Sequence, residues 1–173
     1  MKSVLVAIVC MMLTELCYAQ RIGVARLMHP FKSQYDKLDI QQDFEETVTA
    51  YNKKVEHYEF VFLHDEITDN DLDSYIIAKC AEYKLDGMLI SRMKMVVKPT
   101  SIKDNGNREL LKTGQSYVEM VFLDKGAGLI ARAMYDTYSQ SVNISPNPRK
   151  TLKQAVRNCL RQIFNKLDWE RMQ

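Results

Sequence analysis

Beyond its first twenty residues the chain has no apolar run approaching the roughly 20 residues that a membrane-crossing helix needs, so the remainder is read as not transmembrane. It also lacks a charge of one sign. Its 24 basic and 22 acidic residues leave +2 over 173 residues, and Lys2 and Glu15 of the leader cancel, so the rest keeps that value. That balance gives no electrostatic footprint for nucleic acid. No G-x-S-x-G elbow is present to supply a hydrolase nucleophile, and no G-x-x-x-x-G-K-[ST] loop to cradle phosphates. There is no internal repeat and no low-complexity tract. Histidine is scarce, at three residues. His64-Asp65-Glu66 gathers ligand-type side chains, but a metal centre needs further ligands from elsewhere in the fold, and only His29 is placed to join. The bland reading, a solvated loop after a strand, is preferred; neither a metal nor a cofactor is expected.

What is there begins with a leader. Lys2, the apolar run VLVAIVCMML and the small-residue pattern ending at Ala19 make residues 1–19 a secretory signal peptide. Neither Cys10 nor Cys17 follows a small residue as a lipoprotein cysteine does. Residues 20–173 then form one domain large enough for a real core, expected in the periplasm or secreted, with outer-membrane association a further option. Two of the four cysteines fall in this domain. An oxidising compartment permits a Cys80–Cys159 disulfide, while their places on apolar helix faces suit buried thiols.

Periodicity supplies the order of elements. RIGVARLM, residues 21–28, is a first strand stopped at His29-Pro30. Phe44, Thr47, Val48, Tyr51 and Val55 share one face of a helix over 41–57. YEFVFLH, 58–64, is a strand covered on both faces. Leu72, Ile76, Ile77, Cys80 and Ala81 stripe a second helix, with Gly87 as its stop. Residues 88–97 form a third strand, 98–115 a long loop, and two alternating runs follow, 117–122 and 129–138, joined by DKGAG. That connection is a hairpin turn whose glycines supply positive φ. Leu152, Val156, Cys159, Leu160, Ile163, Phe164 and Leu167 make the last helix, opened by Pro148 and Thr151. The expected fold is α/β: a single three-layer sandwich with a mixed five-stranded sheet in the order βαβαβββα and helices on both faces.

The segment Leu85-Asp86-Gly87-Met88-Leu89-Ile90-Ser91, followed by VEMVFLDKGAGLIARAMY and a terminal amphipathic helix, resembles the bacterial envelope α/β domains of the TolB amino-terminal domain, the curli-secretion lipoprotein and the penicillin-binding-protein activator lipoprotein. The chain departs from their pattern at Ile90-Ser91-Arg92 and in having no lipoprotein cysteine. The resemblance brings no catalytic residues. It implies a non-enzymatic module that docks other envelope proteins and assists the assembly or activity of an envelope complex.

Two sets of residues are candidates for function. Protein contact is expected on the 98–115 loop, at Lys103, Arg108, Leu110, Leu111 and Lys112, and on the exposed side of the last three strands. If the first strand lies between the second and third, a crevice opens past their carboxyl ends. His29, Phe31, Lys32, His64 and Lys98 would line it, for a small ligand or an enzymatic reaction.

Overall fold

The computed structural model describes residues 19–28, 40–55, 57–104, 107–142 and 148–171, without the side chains of 95–115, 138–142, 148 and 169–171. Residues 1–18 of the leader, His29, Phe31 and Lys32 lie outside the described residues. Its elements are β1 (Gln20–Ala25), α1 (Ile40–Asn52), β2 (Tyr58–Leu63), α2 (Leu72–Tyr83), β3 (Gly87–Asp104), β4 (Asn107–Asp124), β5 (Leu129–Val142) and α3 (Pro148–Arg171). The sheet order is β2-β1-β3-β4-β5. β1 runs parallel to β2 and β3, and the β3-β4-β5 meander is antiparallel. This is the mixed five-stranded α/β sandwich that the periodicities predict.

Side-chain alternation along the strands sorts the core into two layers. On one face Ile22, Val24, Leu89, Met93, Val118, Met120, Ala131 and Ala133 meet α1 and α3. The last helix turns its whole apolar stripe inward: Leu152, Val156, Cys159, Leu160, Ile163, Phe164 and Leu167 are all buried. Phe164 packs its ring 4.8 Å from Tyr58, 5.3 Å from Phe60 and 5.6 Å from Tyr51, the offset and edge-on arrangements that aromatic rings prefer. On the other face Ala25, Leu63, Met88, Ile90, Val121 and Leu123 meet Ile76 and Cys80 of α2.

Several details differ from the sequence reading. Ile77, assigned to the buried stripe of α2, is 50% exposed. That helix stops at Lys84, whose φ is 54°, with Leu85 N–H bonded to the Cys80 carbonyl at 2.9 Å. Gly87 is therefore not its cap. It opens β3, where a Cβ would lie 2.5 Å from the Leu123 carbonyl oxygen and 2.6 Å from the Phe122 ring. The 98–115 segment is not a loop: β3 and β4 pair continuously from Gly87 opposite Asp124 to Asp104 opposite Asn107.

The DKGAG connection is a turn, but positive φ falls on Ala127, at 63°, and not on either glycine. The glycines serve a different purpose. Asp124 Oδ1 accepts the N–H groups of Gly126 and Gly128, each at 2.8 Å, and a Cβ on Gly128 would stand 3.0 Å from the same carboxylate. The missing side chain of Gly128 makes room for it. One residue later the sheet bulges. Leu129 pairs with Leu123 and Ala131 with Phe122, leaving Ile130 as the extra residue, and its carbonyl accepts from Lys166 Nζ at 2.7 Å.

Candidate functional site

The carboxyl ends of the parallel strands are held by polar contacts within the chain. The Leu27 N–H donates to Gln41 Oε1 at 3.0 Å, and Gln41 Nε2 donates to Glu45 at 2.6 Å. His64 follows β2, its side chain 70% exposed, with Nδ1 3.5 Å from the same Glu45 carboxylate. Arg26 pairs with Glu66 at 3.2 Å and Arg92 with Asp69 at 2.6 Å. Lys79 lies 3.0 Å from both Asp65 and Glu82. These contacts hold Asp65 below the usual carboxylate range, chiefly through the Lys79 hydrogen bond, and burial followed by the Asp65 charge pushes the Tyr75 phenol up to about 12. Met28 reaches along β3 to bridge Arg92. Lys98, the remaining described residue assigned to this crevice, lies within β3 opposite Thr113. It is eight positions past Ile90, about 26 Å along an extended strand. The structure therefore does not bring Lys98 to His64.

The partner-contact residues are placed differently. β3 and β4 carry 18 residues each, about 60 Å of ribbon, while β5 pairs with β4 only as far as Leu111 opposite Val142. From Ser101 opposite Leu110 outward to Asp104 opposite Asn107, the ladder has two strands and no third among the described residues. Lys103, Arg108 and Leu110 lie in this arm, and Leu111 and Lys112 at its root. Lys103 pairs with Arg108 in the backbone register, and an isolated two-stranded ribbon is marginal in water.

At the base of the arm, the side of the meander turned away from α1 and α3 is open along β5. Arg132 pairs with Glu119 at 2.5 Å with its own side chain 55% exposed; Met134 is 47% and Leu129 60% exposed.

The helical layer holds a cluster that sequence reading missed. Asp43 has no solvent exposure. Arg149 Nη2 donates to its Oδ1 at 2.8 Å, Arg149 Nε to its Oδ2, and Lys153 Nζ lies 2.9 Å from it. Lys153 also meets Glu46 at 2.9 Å. The Arg149 hydrogen bonds hold the Asp43 carboxyl below its ordinary range against the opposing pull of burial. The signal was available: Asp43 occupies a position on the apolar stripe of Phe44, Thr47 and Val48, where a carboxylate needs a partner. Arg149, Lys150, Lys153, Gln154 and Arg157 line a shallow hollow of about 490 Å³ beside it.

Cys80 and Cys159 are free and buried, one in each core layer, on opposite faces of the sheet. They are thus not paired as the disulfide that an oxidising compartment would permit. Burial raises the Cys80 thiol and pushes Cys159 up to about 12, so neither is a thiolate nucleophile near neutrality. Among the described residues no three metal-ligating side chains converge, and no helix is long and apolar enough to cross a membrane. Two buried side-chain oxygens there have no hydrogen-bond partner, Asn52 Oδ1 and Ser91 Oγ.

No family model and no curated protein matches the chain. Solved structures with a similar arrangement include several of bacterial proteins. A hypothetical protein of Chlamydia trachomatis gives a TM-score of 0.49 at 9% identity, covering 86% of this chain and 95% of that one. A neuraminyllactose-binding hemagglutinin homologue of Helicobacter pylori gives 0.48 at 10%, covering 89% and 83%. A lipoprotein of Neisseria meningitidis gives 0.44 at 10%, covering 80% and 94%. At these identities and scores the likenesses assign neither a family nor a function.

Proposed function

We propose that this chain is an exported, non-enzymatic interaction module of the bacterial cell envelope, which assists the assembly or activity of an envelope complex by binding protein partners along the β3–β4 arm. The leader at residues 1–19 supports export, and the order of elements supports kinship with the TolB-like envelope domains. The observation that carries the reading is the arm itself. Four successive residue pairs, Ser101–Leu110 to Asp104–Asn107, extend past Val142 of β5 with no third strand beside them among the described residues. A two-stranded ribbon gains little from its own burial, and a partner strand or surface laid against it supplies what is missing.

The test is to shorten the arm. Replacing residues 101–110 by an Asn-Gly turn leaves the ladder from Gly87 to Thr100 and keeps a favourable hairpin connection. The shortened protein should melt within a few degrees of the parent, yet fail to co-purify the envelope protein that the parent retains. His64→Ala should keep that partner. Retention by the shortened arm and loss in His64→Ala would instead support a ligand crevice at the ends of the parallel strands.

A further inference from the structure

We infer that β5 is a self-pairing edge: two copies of the chain join their β5 strands antiparallel about a two-fold axis at Met134. Among the described residues β5 is the last strand of the sheet, with β4 on one side only. An unpaired edge of this length is a template for another strand unless something blunts it. At its beginning something does, since Ile130 is the bulged residue and Lys166 takes its carbonyl. The segment that follows, Ala131 to Thr137, pairs regularly with β4 and presents its far edge.

Charge selects both occupant and register. In antiparallel pairing, side chains that face each other must lie on the same side of the sheet. The open side of β5 carries Arg132, Met134 and Asp136, and the α3 side carries Ala131, Ala133, Tyr135 and Thr137. An axis at Arg132 sets two arginines against each other, and an axis at Asp136 sets two aspartates. An axis at Met134 sets Arg132 against Asp136 of the second copy twice over, with the two methionines between them. On the α3 side the same register places Ala133 opposite Tyr135 and Ala131 opposite Thr137, a small side chain against a larger one each time. Both charges already have contacts within their own chain, Arg132 with Glu119, so the new pairs lengthen a row of alternating charge across the joined sheets. Met134, 47% exposed in the single chain, becomes the centre of the contact. Opposite-charge and apolar cross-strand pairs are the usual source of sheet stabilisation.

Sedimentation equilibrium on residues 20–173 should show a monomer–dimer equilibrium. Arg132→Asp and Asp136→Arg each turn two opposite-charge pairs into two like-charge pairs, and each should weaken dimerisation about tenfold. The double exchange R132D/D136R should restore it, which a mere loss of stability would not do; melting curves of the single variants control for folding. Register is read separately by oxidation. Met134→Cys places two thiols directly opposite, within disulfide reach, and should give a covalent dimer. Arg132→Cys places its two thiols four positions apart, about 13 Å, and should not. A protein that stays monomeric at every concentration, a double exchange that fails to rescue, or crosslinking through position 132 but not 134 would each overturn the pairing.

Discussion

Arg149 grips both oxygens of Asp43, a carboxylate with no solvent exposure, and so ties the first turn of α3 to the inner face of α1. Asp43 is buried while Arg149 is half exposed, and removing Arg149 leaves part of a buried charge uncompensated, which costs more than the pair contributes in total. Lys153 remains after Arg149→Met, so the expected loss is about 2 kcal/mol rather than the full range. Because the folded-state pKa of Asp43 is lowered, its contribution is complete above its unfolded value, near 3.9, and disappears as pH falls through the lowered one. Arg149→Met takes away the largest lowering influence, so the acid limb of the stability curve should move to higher pH. Urea titrations of both proteins between pH 2 and 7 measure this.

Ala127 holds φ at 63°, a conformation that glycine enters without a Cβ penalty. Ala127→Gly should therefore leave stability unchanged or raise it by up to about 1 kcal/mol. Asp124→Ala removes the acceptor shared by the Gly126 and Gly128 amides and should cost about 1–2 kcal/mol. In thermal melts the expected result is a loss for Asp124→Ala and no loss for Ala127→Gly.

Gly87→Ala puts a methyl group 2.5 Å from a backbone oxygen of β4, which cannot swing aside as a flexible side chain can. The expected destabilisation is about 1–3 kcal/mol, the usual range for overpacking. Chemical denaturation with an unchanged slope would locate the effect in the folded state.

The thiols of residues 20–173 should both be free. Cys80 and Cys159 lie on opposite faces of the sheet, so the domain should run identically on reducing and non-reducing gels. Burial keeps both thiols protonated at neutral pH. A thiol-reactive dye should label neither at an appreciable rate until denaturant is added, and then both.

The last helix, the βαβ crossovers and the hairpin turn were legible because their signals are local: a stripe at 3.6-residue spacing, strands of period two, an Asp- and Gly-rich link. The arm was not. Pro99, Lys103, Asp104 and Asn107 show no alternation, and the pairing of Thr100 with Leu111 is a cross-strand fact that no short window contains. The role of Gly87 was misassigned for a related reason. Its neighbour is Leu123 of another strand, while the nearer sequence context suggested a helix stop. His64 and Lys98 fall together only if the third strand ends at Val97; with β3 extended to Asp104 they separate. Asp43 was visible as a carboxylate on an apolar face, but its partner Arg149 lies more than a hundred residues away.

The central claim, that the arm is where partners bind, is tested most directly by site-specific photo-crosslinking in the native compartment. The photoreactive residue would replace Lys103, Arg108 and Leu110 in turn, with Lys54 at the end of α1 as control. One protein, crosslinked from all three arm positions and absent from the control, is the predicted result. The same protein from the control position, or none from the arm while His64 captures one, would contradict it.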